Sequence, residues 1–300
     1  MTNDAAPIHR HDWLLLIFLS ILWGGSFFFT GAALRELPPL TIVFIRVTLG
    51  ATFLLPVVRA LGGSIPGTLA GWWPFAVMGL LNNVIPFSLF VAAQTQISSG
   101  LASVLNATTP LFTVLVLAGF GDERLNARRI AGLLLGILGV AVLAGAASLP
   151  AGLGTGMALC LAGAVSYGFS GLWGRRKLAG VPPITSATCQ LVCSSAMMLL
   201  VAGATEQPWR LPVPSLAICL SLLALAALST ALAYIVFFQI LVRSGAANVM
   251  LVTLLIPVTA ILLGYFVLGE PLTAREIAGA LVIGSALVVI DGRALRWPWS

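Results

Sequence analysis

"FGDERLNARRIAGLLLGILG" (residues 120–139) and "VLGEPLTAREIAGALVIG" (residues 267–284) carry one pattern twice. Aligned at an offset of 147 (270 − 123), they share a glutamate, a leucine two residues on, and then Ala-Arg-x-Ile-Ala-Gly. The match extends far outside these stretches. "LWGGS" around Trp23 lies over "SYGFS" around Tyr167, pairing Gly24 with Gly168 and Ser26 with Ser170 at an offset of 144 (168 − 24). "PPLT" from Pro38 lies over "PPIT" from Pro182 at the same offset. Gln94 meets Gln239 and Gly100 meets Gly245 at 145, and Pro110 meets Pro257 at 147. A slow drift of register over well over a hundred residues is the mark of a duplicated half rather than of a local motif.

Composition says what was duplicated. Hydrophobic residues make up 59% of the chain and charged residues 8%, against about 45–50% and about 25% in soluble domains. Apolar runs of about 20 residues recur throughout, each long enough to cross roughly 30 Å of hydrocarbon as a helix. Ten spans are expected: 13–34, 39–60, 72–93, 98–119 and 128–147, then 153–174, 182–203, 214–241, 245–268 and 274–291. The links are short and hold the Pro, Gly and charged residues, as in "RELPP", "GGSIPG", "SLPAG" and "EQPWRLPVP". The reading is an all-α integral membrane protein with a cytoplasmic tail at 1–12, a first repeat over 13–147, a second over 153–291 and a second tail at 292–300. The head "MTNDAAPIHRHD" is too short and polar to fold alone, and the apolar run after it is too long for a cleaved signal peptide.

Five spans per copy is an odd number, so the second copy enters the membrane upside down. Inverted halves that enclose a site near the midplane are a construction of secondary transporters. Basic residues fix the orientation, because Lys and Arg are retained on the cytoplasmic side. Arg10, Arg59, Arg124, Arg128, Arg129, Arg175, Arg176, Lys177, Arg243, Arg293 and Arg296 fall on the side of the termini, and Arg35, Arg210 and Arg275 on the other. Both termini are therefore expected in the cytoplasm, and the net charge of +6 calls for no nucleic-acid partner.

Other function classes find little support. An enzyme at a membrane surface needs a nucleophile, base or metal cluster, yet the two histidines, His9 and His11, sit in the terminal tail, and the one acid pair in a short loop, Asp122 with Glu123, reads as a solvated turn. Cys160, Cys189, Cys193 and Cys219 lie in or beside apolar spans as small hydrophobes. Cys189 and Cys193 share a helix face but have no further ligands nearby, so neither a metal nor a cofactor is expected. A scaffold or sensor is the remaining alternative class. Gly121 and Gly269 suit left-handed helix caps, Thr273 with Glu276 a capping box, and the small pairs Gly132/Gly136 and Ala280/Gly284 close helix approach. Glu123 and Glu270 acting in gating is the functional alternative for this hairpin.

Polar side chains at mid-membrane depth are costly unless they face protein or a wet cavity, which makes them candidates for cargo contact. Asn82, Asn83, Asn106, Tyr167, Gln190, Tyr234 and Gln239 lead this set, with Ser88, Thr108, Thr109, Ser166, Ser170, Ser194 and Thr253 beside them. Pro86, Pro110 and Pro257 are expected hinges, since each removes a backbone bond to the carbonyl four residues earlier. Asn82, Asn106 and Thr253 stand at those carbonyls, where they either repair the kink or meet cargo. Trp23, Phe27, Phe87, Phe90, Trp173 and Phe238 can add an apolar, stacking chamber. Trp72, Trp73, Trp209, Trp297 and Trp299 lie at span ends as interfacial anchors. Arg46 is the one charged residue well inside an apolar span, either a clamp on polar groups or a receptor for a cargo carboxylate.

Ten helices in two inverted halves, Trp-Gly-x-Ser at residues 23–26, Arg46 in the second span, and the proline followed by glycine and glutamate around the fourth and ninth spans resemble the drug/metabolite transporter superfamily, EamA type. Within it the chain is most similar to the bacterial aromatic amino-acid exporters of YddG type. "RLNARR" lacks the proline of "EPLTAR", and the first span has no glutamate of the kind carried by the small four-helix drug-efflux relatives. The resemblance implies a multi-pass inner-membrane exporter of small molecules. The candidate substrate-binding set is Trp23, Arg46, Asn82, Asn83, Phe87, Asn106, Tyr167, Trp173, Gln190, Tyr234 and Gln239. A chamber lined by amides suits neutral or zwitterionic cargo such as aromatic or other hydrophobic amino acids, with nucleotide-sugar-like metabolites or drugs as the alternative. A monomer in the lipid bilayer is expected. All nine acidic residues fall in loops, tails or span ends, so no proton-carrying carboxylate is expected in the membrane.

Overall fold

The computed structural model describes residues 10–123, 125–144, 152–249 and 251–291. Arg124, Arg293, Arg296, His9, Trp297, Trp299, most of both tails and the last three residues of the expected span 128–147 lie outside them. The described chain is helical throughout: α1 (Arg10–Ala33), α2 (Pro39–Ala60), α3 (Leu69–Gly79), α4 (Ile85–Ala93), α5 (Ser99–Asn106), α6 (Thr109–Gly119), α7 (Ala127–Ala144), α8 (Leu153–Lys177), α9 (Pro183–Thr205), α10 (Leu216–Ala226), α11 (Ala233–Val249), α12 (Val252–Leu263) and α13 (Ala274–Asp291). Joined across their breaks, eight helices among the described residues are long and apolar enough to cross a membrane, and Val252–Leu268 is apolar but shorter. α13 covers the tenth expected span and carries Arg275, Glu276 and Asp291.

Local chemistry sets the starts. α2 and α9 each open on a proline whose fixed φ is preset for a helix and whose missing N–H is no loss there. Thr68 and Ser98 cap the α3 and α5 amides at Gly71 and Leu101. The capping box forms as expected: the Glu276 carboxylate accepts from the Thr273 amide at 2.8 Å, and the Glu276 amide donates to the Thr273 hydroxyl at 3.2 Å. Gly121 and Gly269 both take the left-handed region, at φ 76° and 72°.

The breaks are where the structure says more than hydropathy. Between α3 and α4 the chain makes a π-helical turn, Leu80–Val84, just before Pro86, which cannot donate to the turn behind it. Another π turn, Ala227–Leu232, joins α10 to α11 with no proline nearby. α5 stops at Asn106 and α6 restarts at Thr109 ahead of Pro110. The ninth span, expected over 245–268, is divided from the eighth at Gly245, where Ala233–Val249 kinks, and α12 follows from Val252. Gly245 turns the backbone inside that run at φ 80°, ψ 167°, a conformation that glycine adopts without steric cost. Pro257 sits inside α12, which continues through it.

Packing comes in reciprocal pairs. α1 lies on α12 as α8 lies on α6; α1 meets α11 as α8 meets α4, and α10 as α8 meets α3; α3 meets α9 as α10 meets α2. α2 with α9, and α7 with α13, pair with their own counterparts. Apolar residues form two large clusters, one around Leu19, Leu105, Ile240 and Ile283 and one around Ile42, Leu54, Leu191 and Leu225. α7 and α13 approach closely through glycine: a Cβ on Gly132 would overlap Ile290, and one on Gly139 would overlap Ile283.

Candidate functional site

Side chains on the π turn Leu80–Val84, with those of α8, α9 and α11, make one polar cluster. Asn82 Nδ2 donates to Gln190 Oε1 at 3.1 Å and to the Tyr234 hydroxyl at 3.2 Å. Ser170 donates to Asn82 Oδ1 at 3.1 Å. Asn83 Nδ2 donates to Ser194 Oγ at 3.1 Å, while Tyr234 donates to Asn83 Oδ1 at 3.2 Å. Asn83, Gln190 and Ser194 are buried, so each bond replaces water that the site excludes.

Kink repair is done by other residues. Ser166 donates to the Leu81 carbonyl at 2.7 Å, and Ser194 to the Gly79 carbonyl at 3.2 Å. On the other π turn, Thr230 donates to the Leu225 carbonyl at 2.9 Å. The asparagines are thereby free to link α3–α4 to α8, α9 and α11.

Arg46 adjoins this cluster and is buried. Its Nε donates to Thr230 Oγ1 at 3.0 Å, and its guanidinium carbon lies 3.8 Å from the centre of the Phe87 ring. Tyr167 and Tyr234 stand within electrostatic reach of it. Aromatic rings surround the cluster: Phe90 stacks on Tyr167 and meets Phe27 edge-on, Tyr234 stacks on Phe238, and Phe238 leads through Phe237 to Trp23.

Arg46, Asn82, Asn83, Phe87, Tyr167, Gln190 and Tyr234 are therefore brought together, with Trp23 at the edge of the aromatic chain. Three other candidates are placed elsewhere. Trp173 donates its indole N–H to the Pro74 carbonyl at 2.9 Å, near the start of α3. Gln239 is exposed on α11, because α11 turns it away from the face that carries Tyr234 and Phe238. Asn106 is half-buried at the end of α5 and joins none of these bonds. Thr230, the partner of Arg46, was not among the candidates. Its π turn carries no proline, so nothing in the sequence marked it.

The ends of the bundle are tied by different chemistry. At one end, carboxylates cap helix starts across the chain: Glu206 accepts from the Leu40 and Thr41 amides and the Thr41 hydroxyl at 3.0, 2.6 and 2.8 Å. Glu36 accepts from the Ser215 amide and hydroxyl, both at 2.7 Å, which holds its carboxyl below its usual value. Glu270 accepts the Ser99 amide with both oxygens at 3.0 Å. At the other end the ties are ion pairs. Arg176 grips Asp122 with Nη2 at 2.6 Å and Nε at 3.1 Å and depresses the Asp122 carboxyl, while Arg129 pairs with Glu123 and Arg243 with Asp12 at 3.4 Å.

The sequence model of the EamA-like transporter family matches this chain twice, over residues 12–145 and 154–290. An uncharacterized transporter of Bacillus subtilis, YvbV, is 30% identical over 94% of this chain and 92% of its own length. A Salmonella typhimurium protein named "Probable amino-acid metabolite efflux pump" is 29% identical over 93% of this chain and 94% of its own. The inner membrane transporter YedA of Escherichia coli, itself uncharacterized, is 28% identical over 92% and 89%. One solved crystal structure superposes on 96% of this chain and 100% of its own with a TM-score of 0.66 at 21% identity, a likeness of fold.

Proposed function

The chain belongs to the EamA-like transporter family, and from that premise we propose that it is a secondary carrier exporting aromatic or other hydrophobic amino acids across the inner membrane. The work is done by alternating access between two inverted halves of five helices. The observation that carries the reading is the central cluster, where Asn82 of the first half is bonded to Gln190 and Tyr234 of the second inside a ring of aromatic side chains. Amides can donate to a carboxylate and accept from an ammonium, and rings supply apolar area for an aromatic side chain. The reciprocal packing and the two matches to one family model support inverted halves, whose sites lie where the halves meet. The Salmonella relative named for amino-acid metabolite efflux agrees with the cargo class, and so does the resemblance to the YddG-type exporters.

The excess of basic residues on one side supports cytoplasmic termini. The ion-paired end is then inner and the carboxylate-capped end outer. A monomer suffices to enclose the cluster. Every described acidic side chain lies at an end of the bundle, which supports facilitated transport or exchange, running outward because cytoplasmic cargo is more concentrated. Counterflow in proteoliposomes across amino acids, nucleotides and cationic dyes tests the cargo: amino-acid exchange is expected, and uptake of dyes or nucleotides alone overturns it. Net accumulation of cargo under an imposed pH or sodium gradient, with equal cargo on both sides, overturns the uncoupled mechanism.

A further inference from the structure

Arg46 is more than nine-tenths buried, at 8% exposure, and most of its bonding capacity is unused. Guanidinium carries five N–H donors. The Nε donor goes to Thr230, and no group among the described residues accepts from the two terminal nitrogens. Nor does any carboxylate among the described side chains answer its charge. Asp12, Glu36, Asp122, Glu123, Glu206, Glu270 and Glu276 are all engaged at the ends of the bundle. An unneutralised cation inside a membrane span is expensive to keep.

We infer that Arg46 is the receptor for a carboxylate on the cargo, and that the cargo class is small hydrophobic carboxylates whose amino group is dispensable. The geometry is that of a prepared fork. Thr230 holds the Nε edge, and the Phe87 ring packs against the guanidinium at 3.8 Å. That leaves the end-on pair of terminal nitrogens, which matches the two oxygens of a carboxylate. The ammonium of an amino acid finds no such partner. The acceptors of the cluster are neutral amide oxygens, each already accepting one bond: Gln190 Oε1 from Asn82, Asn82 Oδ1 from Ser170, Asn83 Oδ1 from Tyr234. The negative group is therefore held by a full charge and the positive group by uncharged oxygens alone.

This assignment rests on the reading of the chain as an amino-acid carrier, and its test separates the two. Full-length protein in proteoliposomes loaded with phenylalanine is challenged from outside with 3-phenylpropionate and with phenylalaninamide. The acid without the amine is expected to compete as well as phenylalanine. The amide, which lacks the carboxylate, is expected to compete about 10- to 100-fold less well, the factor for losing one hydrogen-bonded charge. Arg46→Gln is expected to erase that preference. An amide that competes as well as the acid in the unsubstituted protein overturns the inference, and this arm needs no variant to fold. Should phenylalanine show no counterflow at all, the amino-acid reading falls and the inference is judged by melting of the purified protein. Stabilisation by 3-phenylpropionate and not by 3-phenylpropanamide supports Arg46 as a carboxylate receptor. Equal effects, or none, overturn it.

Discussion

Glu206→Gln is expected to loosen the joint between α2 and α9. Its carboxylate takes two backbone amides and one hydroxyl at the start of α2, at 2.6 to 3.0 Å. Glutamine keeps one acceptor oxygen but turns its amide nitrogen toward an N–H, so at least one of these bonds is lost and the rest lose their charge. A hydrogen bond to a charged group contributes about 1.5–3 kcal/mol, and a carboxylate at a helix start adds about 0.3–1 kcal/mol. Glu206 is half-buried, so water replaces part of this, and a net loss of about 2 kcal/mol is the central expectation. That corresponds to roughly a 30-fold shift in any equilibrium the contact biases and a fall in melting temperature of a few degrees. Thermal unfolding of the detergent-purified protein, followed by tryptophan fluorescence, measures it. A cycle with Thr41→Val then isolates the hydroxyl bond, with a coupling of about 0.5–3 kcal/mol. Melting unchanged from the parent, or strict additivity with Thr41→Val, would refute the argument that this carboxylate joins the two helices.

Asn82→Ala removes the acceptor of Ser170 and the donor to Gln190 and Tyr234, so cargo affinity in counterflow is expected to fall at least about tenfold; Asn106→Ala, outside the cluster, is expected to leave it unchanged, and the reverse ranking would contradict the site. Gly139→Leu would place its Cβ 2.6 Å from Ile283 Cγ1 and 3.0 Å from the Ile283 backbone nitrogen. The overpacking should cost about 1–3 kcal/mol or more, and unaltered melting would show that α7 and α13 do not pack this tightly. The Glu36 carboxyl, held below its usual value of 4.5 by Ser215, should stabilise the fold fully above pH 4.5, because a depressed folded-state value means the unfolded chain binds the proton more tightly. The contribution disappears as pH falls through the lower folded-state value, so melting curves of the parent and of Glu36→Gln should converge on acidification. A difference that is flat with pH would refute that contact.

Hydropathy located nearly every helix, because a span of about 20 apolar residues has few alternatives in a bilayer. Proline marked the breaks at Leu80–Val84 and before Thr109. The π turn at Ala227–Leu232 left no such mark, whereas the expected start of the ninth span, Gly245, is where the helix breaks and the eighth span ends. Which face of each helix meets the interior is not written in hydropathy. In a soluble helix the polar stripe marks water, but here lipid and protein interior are alike apolar, so periodicity cannot tell them apart. Asn82, Asn83, Gln190 and Tyr234 were found because a buried amide or phenol needs a partner. Gln239 and Trp173 obey the same rule of polarity but point to the surface and to the Pro74 carbonyl. Thr230 carries no mark of this kind, because threonine is an ordinary membrane residue until an arginine reaches it.

The glycine-lined seam of α7 and α13 has a kinematic consequence. Gly132, Gly139 and Gly279 each receive a side chain of the opposite helix, Ile290, Ile283 and Leu143 respectively, and the two helices touch little else in the bundle. So dense an apolar contact admits no water and resists being pulled apart. Two bodies pinned along one line keep a single freedom, rotation about that line. If the halves alternate as proposed, the seam is the expected pivot: a cross-link placed within it should leave transport intact, whereas one placed between Asn82 and Gln190, off the axis, should stop it.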